Sequence, residues 1–265
     1  MTDILGYLLA GVIGLSLGLF GGGGSILTVP VLVYVVGLSP VTATAYSLFI
    51  VGITSLAGSV NYARRKLVSL RTALVFSLPS LVSVFVVRRF VIHAIPDPVL
   101  AAGGFVLAKS VMLMVFFALL MLFASFSMIR GKRGAVESQP GTPRFNYGFI
   151  AAQGAAVGTV TGLVGAGGGF MIIPALVLFA RLPMRLAVGT SLLVIAANSL
   201  IGFASDVATQ PAMDWTFLIR FSLIAIGGIL VGSYLSKLIP TDRLKTGFGY
   251  FLLAMAVYIL MRELW

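Results

Sequence analysis

The sequence predicts an all-α integral membrane protein: a polytopic helix bundle of two inverted-topology repeats, with helices broken or re-entrant at glycine-rich turns. Three observations lead there. Of 265 residues, 59% are hydrophobic and 9% charged, whereas an average soluble domain carries about 25% charged residues. So much apolar surface calls for hydrocarbon as its solvent. The apolar residues fall in ten runs, and a glycine cluster in the first half recurs in the second at a fixed offset.

In the first half the runs cover residues 4–20, 26–37, 43–62, 70–91 and 103–129. In the second they cover 149–164, 170–180, 187–203, 215–238 and 246–261. A spanning helix needs roughly 20 apolar residues. The third, fourth and fifth runs of each set reach or approach that length, while the first two are short and joined by glycines. The clearly polar stretch, rich in Gly, Pro and basic residues, is 130–145. It reads as a linker, leaving 1–129 and 146–265 as two membrane repeats. The start of the chain lacks the basic region of a cleavable signal peptide.

The repeat is visible in register. Gly18 to Ser25 lies over Gly162 to Gly169, an offset of 144 residues. The same offset carries Pro30 onto Pro174, Ser47 onto Ser191, Ser55 onto Ser199, Gly58 onto Gly202 and Pro96 onto Pro240. The alignment is expected to run without a gap.

Charge orients the halves. Arg64, Arg65, Lys66 and Arg71 follow the third run of the first half, while the equivalent loop of the second holds Asp206 and Asp214. After the fourth run the signs reverse: Asp97 and His93 lie near Pro96, but Lys237, Arg243 and Lys245 lie near Pro240. By the positive-inside rule, equivalent loops of opposite sign face opposite sides, the mark of an inverted repeat. With the first two runs of each half going in and coming back, the linker is cytoplasmic. Both termini are then outside a bacterial-type inner membrane.

The glycine clusters carry the functional signal. Glycine inside a helix costs about 1 kcal/mol against alanine, so Gly21–Gly24 and Gly165–Gly169 should break their helices. Each precedes a short apolar run, read here as a half-helix beginning near the bilayer midplane. Its free N–H groups and partial positive charge suit an anion without a buried full charge. The candidate contacts are Gly22, Gly23, Gly24, Gly167, Gly168 and Gly169. Tight helix packing through small residues is the alternative. Neither a P-loop nor a dinucleotide fingerprint fits, since no Gly-Lys-Ser/Thr follows and Phe170 stands where a third glycine would be.

At these residues the chain resembles a known family. Gly18 to Pro30 with Gly162 to Pro174, and Ala187-Val188-Gly189-Thr190-Ser191, are similar to the TauE/SafE family of sulfite and organosulfonate exporters. The resemblance covers nearly the whole chain. It implies an all-helical inner-membrane permease for small sulfur-containing anions such as sulfite or sulfoacetate. The first half departs from the pattern: Ala43-Thr44-Ala45-Tyr46-Ser47 replaces Ala-Val-Gly-Thr-Ser, and the tyrosine is expected to reshape that half of the site. The expected function is a secondary transporter working by alternating access. An anion channel, or a permease for another small oxyanion, is the alternative.

Hydroxyls and amides at membrane depth complete the candidate site. Ser25, Ser47, Thr190, Ser191 and Asn198 could donate to sulfonate or sulfite oxygens, or else bond between helices. Arg88 and Arg89 stand near the outer end of the fourth run, where they would form a vestibule for anions or snorkel to headgroups. Lys109 and Arg220 pose the same choice. Every carboxylate is expected in a loop or near a segment end, so no buried proton relay is foreseen. There is no cysteine and a single histidine, which removes disulfides and cysteine nucleophiles and leaves no basis for a metal site or cofactor. An enzyme is not expected. Nor is nucleic-acid binding, because the net charge of +11 lies largely between apolar runs. The partners expected are a small anion and membrane lipid, and the sequence admits a homodimer.

Overall fold

The structure, a computed structural model, describes residues 2–102, 105–130, 147–178, 180, 182–207, 213–236 and 241–264. The first half holds α1 (Thr2–Phe20), a 3-10 segment (Gly21–Leu27), α2 (Thr28–Tyr34), α3 (Pro40–Arg64) and α4 (Leu70–Val86). A π-helical turn (Val87–Val91) and α5 (Ile92–Ala94) prolong α4. An antiparallel hairpin, β1 (Leu100–Ala102) and β2 (Phe105–Leu107), then leads into α6 (Lys109–Arg130). The second half holds α7 (Tyr147–Val164), α8 (Gly169–Leu178), α9 (Met184–Val207), α10 (Trp215–Leu235) and α11 (Thr241–Leu264). The linker expected at 130–145 lies, except for Arg130, outside the described residues.

The helical class follows from composition, and the packing shows why lipid is required. On α4, Leu70, Leu74, Leu78, Val82 and Phe85 are all exposed at three- and four-residue spacing, one face of a helix. Ile219 and Leu223 on α10, and Leu119 and Phe123 on α6, form similar outward stripes. Patches of this kind are not left facing water. Among the described residues, six helical segments are long and apolar enough to cross a membrane. Their ends carry polar caps: Ser39 Oγ accepts from Thr42 N at 3.3 Å and Asp214 Oδ1 from Phe217 N at 2.9 Å, satisfying first-turn donors.

The two halves are interlocked. The offset of 144 residues carries α1 onto α7, α3 onto α9 and α4 onto α10. α1 packs along α10 and α7 along α4; α3 packs on α9, and α6 on α11. Exchanging the halves leaves this pattern unchanged. Glycines permit the closest approaches: a Cβ on Gly14 would overlap the Ala225 backbone, and one on Gly158 the Ser80 backbone. Such small-residue seams are how membrane helices gain contact without a hydrophobic drive.

Contacts also fix direction. Gly52 meets Leu200, Gly58 meets Leu192 and Gly189 meets Tyr62, so the equivalent helices α3 and α9 run antiparallel. The expected gapless alignment holds only through the fourth helix. α6 begins at residue 109 and α11 at 241, an offset of 132. The first half carries about a dozen extra residues here, and they form the hairpin before α6.

Candidate functional site

Both glycine clusters turn the chain back on itself. Gly21 has φ +66° and its equivalent Gly165 has φ +71°; Gly167 and Gly168 follow at +69° and +66°. This left-handed region is open to glycine at little cost. Beyond the break the first-half chain doubles back, so that Gly24 lies against Ser16 and Leu17 and Val36 reaches Gly6. A straight helix would put Gly6 and Val36 about 45 Å apart. Gly168 likewise lies against Thr161 and Val157 of α7. Each short run therefore folds back along the helix before it, where the sequence alone leaves open whether it re-enters or crosses fully. One detail differs. In the second half the α-helix does begin at Gly169, but in the first half the glycines form the 3-10 segment and α2 starts only at Thr28.

The two turns meet in the middle of the bundle. A Cβ on Gly22 would fall on Gly169 Cα and near Ile195, and one on Gly169 would overlap the Gly22 carbonyl. Gly167 sits beside Val51, Ile195 and Ser199 Oγ. Ile195 is the twelfth of 24 residues in α9, and Val51 the twelfth of 25 in α3. Gly22, Gly23, Gly24, Gly167, Gly168 and Gly169 are all buried. The contact is backbone on backbone, which no other residue would allow at Gly22 or Gly169.

The hydroxyl and amide candidates have different placements. Ser25 Oγ donates to the Gly22 carbonyl and Ser191 Oγ to the Val188 carbonyl, each at 2.8 Å. Ser47 is fully buried, and its Oγ has no hydrogen-bond partner; the same holds for Thr161 and Ser199, which touch the second glycine turn. Thr190 Oγ1 accepts from Ser69 N at 3.0 Å, just before α4. Tyr46, its equivalent, accepts through its hydroxyl from Asp214 N at 2.7 Å, just before α10. The tyrosine that replaces threonine thus performs the same tether across a longer gap. Asn198 Nδ2 donates to Ser80 Oγ at 2.7 Å, joining α9 to α4.

Arg88 and Arg89 part company. Arg89 is exposed, whereas Arg88 is 1% exposed, facing α9 and not a vestibule. Arg88 Nη1 lies 3.2 Å from Asp206 Oδ2 and donates to Thr44 Oγ1 at 3.3 Å. A Cβ on Gly165 would run into Arg88 Nη2. Asp206 stands near a segment end, as expected, in the last turn of α9, yet it is 2% exposed. The signal was available in the spacing. Ser80, Val84 and Arg88 share one face of their helix at four-residue steps, and Asn198, Gly202 and Asp206 share one face of α9. Run length placed Arg88 near a surface; periodicity places it inside.

Lys109 Nζ donates to the carbonyls of Ile92 and Ile95, closing the end of α5, while Lys109 N donates to Asp97 Oδ1 at 3.1 Å. Arg220 is exposed. A groove of about 280 Å³ beside Leu74, Leu78 and Leu193 is apolar and opens on the lipid-facing side of α4, away from the glycine turns.

Comparison with known proteins agrees with this architecture. The model of the sulfite exporter TauE/SafE family matches residues 7–259. A probable membrane transporter protein of Xylella fastidiosa is 30% identical over 257 residues, covering 96% of this chain and 93% of its own. The probable membrane transporter protein YunE of Bacillus subtilis is 26% identical, covering 89% of this chain and 88% of its own. A second Bacillus subtilis protein, the probable membrane transporter protein YdhB, is 24% identical over 89% of this chain and 91% of its own. No solved structure matches the chain.

Proposed function

Since the chain belongs to the sulfite exporter TauE/SafE family and is a multi-pass membrane transporter, we propose that it moves a small sulfur-containing anion, sulfite or an organosulfonate such as sulfoacetate, across a bacterial-type inner membrane by alternating access. The observation that carries this reading is the meeting of Gly22 and Gly169 at mid-bundle. Two glycine turns face each other there without side chains between them, and α8 presents its N-terminus to the junction. A positive helix end beside a junction lined by backbone suits an anion and needs no metal. Buried hydroxyls of Ser47, Thr161 and Ser199 stand ready as further donors.

The interlocked halves support this mechanism. The antiparallel run of α3 and α9 supports an inverted repeat, in which both termini lie outside and the Arg64–Lys66 loop faces the cytoplasm. The anion is held where the turns meet, and one half rocks against the other to open that point to each side in turn. Purified protein in liposomes tests this with flux of sulfite, sulfate, thiosulfate, sulfoacetate and chloride. Saturable flux of a sulfur anion is the expected result. Flux that never saturates would point to a channel, and no flux of any of the five would overturn the reading.

A further inference from the structure

We propose that Arg88 is the charged anchor of the transported anion and that Asp206 is a resident anion which the substrate displaces from it; this rests on the anion-transport reading above. The pair is costly to keep. An arginine within a spanning segment is among the most expensive residues to place there, and a buried ion pair is often no more stable than apolar residues of the same volume. Stability alone gives little reason to retain it.

The repeat sharpens the point. With the offset of 144, Arg88 corresponds to Gly232, Asp206 to Tyr62 and Thr44 to Val188. The second copy of this architecture is thus built without the ion pair. There the nearest polar bond is neutral, Asn61 Nδ2 donating to Ser233 Oγ at 3.1 Å. The fold does not require a charge at this position, so the pair, with one member from each half, breaks the symmetry of the repeats, as a site for one asymmetric anion needs.

Position links the pair to the glycine turns. Gly165 is the residue at which α7 breaks, and the Arg88 guanidinium packs against it where a side chain would otherwise stand. From Gly165 the backbone runs four residues to Gly169, which touches Gly22. Thr44, which also packs against Gly165, takes one N–H of the guanidinium while its own hydroxyl donates to the Val41 carbonyl at 2.8 Å. The guanidinium is therefore oriented before any ligand arrives, and the π-helical turn at Val87–Val91 carries it inward while Arg89 faces out.

The chemistry of exchange is simple. A guanidinium offers a planar fork of N–H donors that fits two oxygens on one centre. A carboxylate presents two such oxygens; a sulfonate, sulfite or hydrogen sulfite presents two of its three. Asp206 thus occupies the place that the substrate would take, and it keeps the arginine from standing as an uncompensated charge when the site is empty. Displacement breaks one ion pair and makes another, and the released Asp206 carboxylate, in the last turn of α9, takes up a proton as the anion arrives, so that no buried charge is left unpaired. The cost of burying Arg88 is then met in both the empty and loaded states, which favours turnover over tight trapping.

The test measures binding of sodium sulfite and sodium sulfoacetate to purified protein by titration calorimetry, alongside liposome flux. The double variant Arg88→Gln with Asp206→Asn removes both charges together and should fold, but bind at least tenfold more weakly and lose flux. Asp206→Asn alone removes the competitor, so the anion should bind severalfold tighter and turn over more slowly. Arg88→Lys keeps the charge without the fork and should bind severalfold more weakly. Double-variant or Arg88→Lys binding equal to wild type, or weaker binding in Asp206→Asn, overturns the proposal. If the wild type binds these anions but does not move them, the transport reading falls and the Arg88 assignment stands. If the double variant transports normally, the reverse holds; if the wild type binds neither anion, both fall.

Discussion

Arg88 meets Asp206 in the same register, and on the same two helices, as Ser80 meets Asn198. Both pairs are separated by 118 residues, and Val84 reaches Gly202 at the same separation between them. The line of α4 and its π-helical extension therefore run parallel to α9, with a polar rung at mid-bundle and a charged rung two turns on.

Gly22→Ala and Gly169→Ala should each cost about 1–3 kcal/mol through overpacking against backbone that cannot retreat. Gly227, inside α10 with nothing within 4 Å of an added Cβ, is the control; Gly227→Ala should be neutral or stabilising by up to about 1 kcal/mol. Thermal unfolding in detergent reads the difference.

Thr44→Val gives the first half the residue that the second half has at Val188. The cavity stays filled, but Arg88 loses its hydroxyl acceptor. Transport should fall, by about 1 kcal/mol in kcat/KM, with little change in stability. Liposome flux alongside an unfolding curve separates the two effects.

Thr190→Val removes the acceptor for Ser69 N. The expected result is a stability loss of about 1 kcal/mol with an unchanged KM for the anion. A raised KM at unchanged stability would instead mark Thr190 as a substrate ligand.

The Ser80–Asn198 rung should show a coupling energy near 0.6 kcal/mol, and no more than about 1.7 kcal/mol, in a double-mutant cycle with alanine at each position. Denaturation in mixed micelles measures it.

Orientation can be read directly, because the chain has no cysteine. Ser39 and Lys66 are both exposed, at opposite ends of α3. A membrane-impermeant maleimide should label Ser39→Cys in intact cells and Lys66→Cys only after permeabilisation. The opposite pattern would reverse the proposed topology.

Much of this architecture could be read from the chain. The ungapped offset from Gly18 through Pro240 located the re-entrant turns because glycine and proline are backbone constraints, and sequence states them outright. The hairpin before α6 was hidden because residues 100–107 are apolar or small and continue the neighbouring run. Ser25, Ser191 and Thr190 were legible as polar, but their bonds to backbone carbonyls and amides were not, since such bonds depend on rotamers. The burial of Asp206 was hidden for a different reason. It stands in the last turn of α9, where run length says surface, and only its four-residue spacing from Gly202 and Asn198 says interior.

The interlocked packing also sets the order in which the protein can assemble. α1 is made first, yet the helix it lies along, α10, begins about 200 residues later. At a synthesis rate of roughly 5–20 residues per second, α1 waits about 10–40 s in the lipid before its partner exists. α4 must likewise wait for α7. During that interval Arg88 is in the bilayer and Asp206 has not been synthesised, so the newborn first half carries an unneutralised charge that only the second half can cancel. The lasting packing of the early helices is thus completed only when the chain is nearly whole.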